Sequence, residues 1–114
     1  MTNPIRATDD EARALARDLL RRSRIAALAV LSPKGAPLVT RVAFGLAPDG
    51  TPLTLISDLS AHTAALQSDP RCSLLVGEAD GKGDPLNQPR LTLEVEATFL
   101  PRGSADHAEI AAHY

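Results

Sequence analysis

The turn Ser32-Pro33-Lys34-Gly35 separates two apolar runs of strand length, Ile25–Leu31 and Leu38–Leu46. Proline and glycine stand where a tight turn needs them. So short a connection has no room for a crossover helix, so the two runs pair antiparallel and a parallel nucleotide-binding sheet is disfavoured. The second run alternates, with Leu38, Thr40, Val42 and Phe44 on one face and Val39, Arg41, Ala43 and Gly45 on the other. Arg41 is thus a cation within an apolar strand and requires a partner. A carboxylate such as Glu94 or Glu96, or a bound phosphate, meets that requirement equally well.

The rest of the chain punctuates itself in the same way. Thr8 and Glu11 form a capping box, and Ala12, Leu15, Ala16, Leu19 and Leu20 follow at helical spacing to about Ser23. Arg13, Arg17, Arg21, Arg22 and Arg24 crowd the later turns of that helix, as a solvated face or as a patch for an anionic partner. Pro48-Asp49-Gly50 turns the second strand into a third, over 53–57, and Arg71 to Val76 is a fourth. The loop Gly77 to Gln88 contains Gly81-Lys82-Gly83-Asp84, which lacks the spacing of a phosphate loop. Arg90 to Leu100 alternates with period two and is the fifth strand, ended by Pro101, and Ser104 or Asp106 caps a further helix. Glu94 and Glu96 share a face of that strand, as a solvated pair or as paired carboxylates. Short strands, tight turns and flanking helices predict an α+β domain, mainly β, built on an antiparallel barrel.

Between the third and fourth strands, Ser57, Ser60, His62 and Thr63 lie within seven residues at the start of a short helix that Asp69-Pro70 ends. Hydroxyls, an imidazole and backbone N–H groups at a helix start suit an anion, here the phosphate of a cofactor. The plainer alternative is that Ser60 caps a connecting helix.

Several function classes find no support. The 114 residues suit one domain, and a formal net charge of −2 gives no reason to expect nucleic acid or membrane as partner. No apolar run approaches the roughly 20 residues of a membrane span, and the polar start MTNPIRATDDEAR is not a secretory signal, so a cytoplasmic address is expected. The single cysteine, Cys72, excludes an internal disulfide and reads as core filler. With Phe44, Phe99 and Tyr114 as the only aromatics, a base-stacking platform finds no support. His62, His107 and His113 do not stand at metal-ligand spacings, and no serine-hydrolase elbow occurs, so no catalytic residue is assigned and any chemistry belongs to a cofactor.

The pieces TRVAF, PDG, LTLIS, HTAALQSDPRCSLLV and PRLTLEVEATFL, in that order from Thr40 to Leu100, resemble the pyridoxamine 5′-phosphate oxidase-like flavin-binding split barrels. The loop and strand GKGDPLNQPRLTLEVEA resemble a subgroup that includes haem-utilisation proteins. The resemblance implies a six-stranded antiparallel Greek-key barrel, a homodimer, and FMN in a cleft between subunits. The sequence pattern provides five strands, so its single domain, 1–114, lacks its last strand or continues beyond Tyr114. By position, the resemblance puts Arg41, Ser57, His62 and Arg90 at the cofactor, and the helix start adds Ser60 and Thr63 to them. His62 stands where many relatives carry lysine or arginine, Ala64 and Ala65 stand where they carry polar residues, and Asp58 adds a negative charge nearby. A histidine in place of a fixed cation weakens a phosphate clamp. The implied function is a dimeric FMN-dependent oxidoreductase acting on an unassigned small molecule. The alternatives are haem binding on the same fold, with an iron ligand from His62, His107 or His113, or a dimeric module without a cofactor.

Overall fold

The computed structural model describes residues 10–56, 59–77 and 81–100. The Thr8 cap, Ser57, Asp58 and the helix expected after Pro101 lie outside the described residues. Helix α1 (Asp10–Arg22) leads into β1 (Ile25–Leu31), β2 (Pro37–Ala43), β3 (Gly45–Leu46) and β4 (Pro52–Leu53). Helix α2 (Ala61–Ser68) follows, then β5 (Arg71–Val76), a 3-10 turn at Pro85–Asn87 and β6 (Leu91–Glu96). Strands in the order β2-β1-β5-β6 make a four-stranded sheet, antiparallel throughout, and β3 and β4 make a separate two-stranded ribbon. The fold is therefore the expected mix of antiparallel sheet and helices.

The β1–β2 hairpin forms as the sequence requires. Gly35 takes φ +82° and its N–H donates to Ser32 O at 2.7 Å, which sets Ala27 opposite Arg41 and Ala29 opposite Val39. Alternation then sends Leu28, Val30, Val42, Leu74 and Val76 into the core, where Ala65 and Leu66 of α2 meet them. Ala26 and Ala65, both buried, have side chains small enough for the helix to lie close on the sheet. Two arginines of α1 pair along the helix, Arg13 with Asp10 at 3.7 Å and Arg22 with Asp18 at 3.3 Å, all of them exposed, as on a solvated face.

Three strand boundaries differ from expectation. The second run breaks at the buried Phe44, so β2 and β3 are distinct and the described residues hold six strands where the sequence pattern predicts five. The third strand shrinks to Pro52–Leu53, because the Thr54 hydroxyl, not a main-chain group, donates to Ala43 O at 2.6 Å. The last strand ends at Glu96, since its partner β5 begins at Arg71 after Pro70, which has no N–H to continue the ladder. One more bond, Ala97 N–H to Pro70 O at 2.8 Å, closes it.

Candidate functional site

Ser60 is the N-cap of α2, with extended backbone (φ −77°, ψ 154°). Its hydroxyl accepts from the Thr63 N–H at 3.3 Å and shares a second hydrogen bond with the Thr63 hydroxyl at 2.8 Å. Thr63 is buried, so this pair satisfies polar groups that burial would otherwise penalise. At the far end Asp69 donates its N–H to Ala65 O at 2.8 Å. Its carboxylate grips the Arg71 guanidinium, with a closest distance of 2.7 Å. Hydrogen bonds from Arg71 hold the Asp69 carboxyl down at about 2. A depressed folded value means that this pair supports the fold above the ordinary aspartate range and ceases to do so as pH falls toward 2. Asp69→Asn should therefore flatten the acid limb of a stability–pH curve between about pH 4 and 2. An unchanged limb in urea melts across that window would contradict this.

Next to the cap, His62 is tied to the sheet. Its Nδ1 lies 3.1 Å from Thr40 Oγ1, in hydrogen-bond contact between α2 and β2. Its Nε2 is buried and has no hydrogen-bond partner among the described residues. Sequence reasoning misses Thr40. The available signal is a hydroxyl on the inward face of a strand whose other inward residues are Leu38 and Val42.

Arg41, the next residue, stands on the opposite face of β2. It is exposed, in a cross-strand row with Ala27, Leu75 and Thr92. The glutamates that charge alone offers as its partners lie on β6, at the other edge of the sheet. Three strand spacings, roughly 14 Å, separate the two edges, so Glu94 and Glu96 do not answer Arg41. Arg90 also sits at the β6 end, and its Nη1 donates to Leu86 O at 2.6 Å and Gln88 O at 3.3 Å, bracing its own loop. The structure thus gathers Ser60, His62 and Thr63, adds Thr40 to them, and sets Arg41 across the sheet and Arg90 at its far edge.

Cys72 packs against the core, and burial pushes its thiol up, away from nucleophilic use. Among the described residues no three acidic, histidine or cysteine side chains could share a metal ion. None of their helices is long and apolar enough to cross a membrane.

The sequence pattern described as pyridoxamine 5′-phosphate oxidase matches residues 12–114. The chain belongs to the pyridoxamine 5′-phosphate oxidase family. A solved structure of a protein of unknown function from Agrobacterium tumefaciens is 39% identical, covers 83% of this chain and superposes with a TM-score of 0.71. A heme-binding protein from Mycobacterium smegmatis is 29% identical over 95% of this chain, with a TM-score of 0.77. The chloroplastic non-canonical heme oxygenase HOZ of Arabidopsis thaliana is 28% identical over 81 residues, or 71% of this chain. The chain spans 24% of the plant protein's length and 42% of each of the two solved structures.

Proposed function

We propose that this family member handles haem, working as a pair of identical chains with the ligand beside Arg41 at the β2 edge. The observation that carries the reading is the likeness to a heme-binding protein along 95% of this chain. The plant relative, named as a non-canonical heme oxygenase, supports it. The geometry is compatible. The outward face of the sheet presents small apolar side chains, Ala27, Ala29 and Ala43, with Val39 and Leu75 exposed at 62% and 45%. A flat apolar macrocycle fits such a surface, and Arg41 suits a carboxylate at its margin. The same face is charge-complementary to itself, with Arg41 on the β2 edge and Glu94 and Glu96 on the β6 edge. A two-fold axis along the strands lays one edge over the other, which favours a second copy as its cover.

His62 does not suit the role of iron ligand, because one ring nitrogen is engaged by Thr40 and the other is buried. His107 and His113 lie outside the described residues. A haemin titration of wild type and Arg41→Ala tests the reading. Loss of a charge-assisted contact of about 1.5–3 kcal/mol should weaken binding by roughly ten- to a hundredfold. No Soret change on adding haemin to wild type, or equal affinity in both proteins, sinks it. FMN is the second reading, favoured by the family pattern that covers residues 12–114.

A further inference from the structure

A flavin mononucleotide site needs donors and cations that converge on one phosphate, and the residues here do not fit that need. The first turn of α2 holds Ala61, His62 and Thr63, with no lysine or arginine. The Ser60 hydroxyl is committed to capping, with the Thr63 N–H at 3.3 Å and the Thr63 hydroxyl at 2.8 Å. His62 is held on the core side of β2 by Thr40 at 3.1 Å, with its remaining nitrogen below the surface. Arg41, the cation nearest in sequence to Thr40, lies on the other face of the same strand.

We propose that His62 is a specificity-determining residue: drawn in by Thr40, it leaves the α2 entrance without a cation among the described residues, so that the fold does not select a phosphate-bearing flavin. Side-chain length and shape explain how one residue does this. An imidazole is short enough to turn back under the helix and meet a β2 hydroxyl. A lysine carries its charge on a long stem that keeps the ammonium in water, where it meets an anion. The helix entrance keeps its amides in either case, so the cation alone decides whether the phosphate is clamped. The inference goes beyond the haem reading without depending on it, and it is tested without haem.

The experiment compares the affinities for FMN and riboflavin, which differ only in the phosphate, by flavin fluorescence in wild type and His62→Lys. Wild type should discriminate between them by less than about threefold, or bind neither. His62→Lys should bind FMN at least about tenfold more tightly than riboflavin, with the difference shrinking as salt rises. His62→Arg serves as the second variant should lysine disturb folding. A wild-type preference for FMN above about tenfold that His62→Ala removes would make His62 a phosphate ligand and overturn the proposal. So would folded lysine and arginine variants that gain no preference. Haem binding that fails while these outcomes hold would remove the functional reading and leave this one standing.

Discussion

Gly77→Ala is expected to lower the stability of the domain by about 3 kcal/mol or more, through two additive causes. Gly77 ends β5 with φ +96°, a backbone region that residues with a side chain rarely occupy. A Cβ built there would lie 2.4 Å from Pro89 O and 2.7 Å from Arg90 Cα. Both are main-chain atoms at the entry to β6, so no side chain can swing aside. Relief requires the main chain at Pro89 and Arg90 to move, and the pairing of Val76 with Leu91 begins beside it. At roughly 4–8 °C per kcal/mol for a domain of this size, thermal melting should fall by more than about 10 °C. A variant melting within a few degrees of wild type would mean that the loop approaches β5 differently.

The second large effect is expected from Leu28→Ala. Leu28 sits mid-strand in β1, opposite Thr40 on one side and Leu74 on the other, and is 1% exposed. The surrounding residues are fixed by a sheet and a helix, so the space vacated cannot close fully. A loss of about 2–5 kcal/mol follows, a large part of the 5–15 kcal/mol available to a typical domain. Denaturant unfolding with an unchanged slope and a lower midpoint is the expected signature. A loss below about 1 kcal/mol would place Leu28 outside the tightly packed centre.

Much of the fold is legible in the sequence because short-range rules govern it. Ser32-Pro33-Lys34-Gly35 and Pro48-Asp49-Gly50 set two hairpins, and period-two alternation alone puts Thr40 and Arg41 on opposite faces of their strand. Strand ends are less legible, since they depend on partners. Leu100 can extend a ladder only if β5 supplies groups beyond Pro70, and Pro70 supplies no N–H. The site shows the same division. Ser60 as a cap follows from its place before a helix. The Thr40–His62 contact does not, because it joins residues 22 positions apart through tertiary packing. Pairing Arg41 with Glu94 or Glu96 is reasonable by charge alone. The strand order, with β5 and β1 between them, rules it out.

On the proposed reading, the α2 entrance is occupied by an internal tie between His62 and Thr40, and the outward face of the sheet takes a flat, acidic macrocycle. One competition measurement addresses this directly. The purified chain is mixed with equal amounts of haemin and FMN, passed through a desalting column, and its absorption spectrum is recorded. A retained Soret band without the flavin band is the predicted result; a retained flavin band without the Soret band would contradict the account.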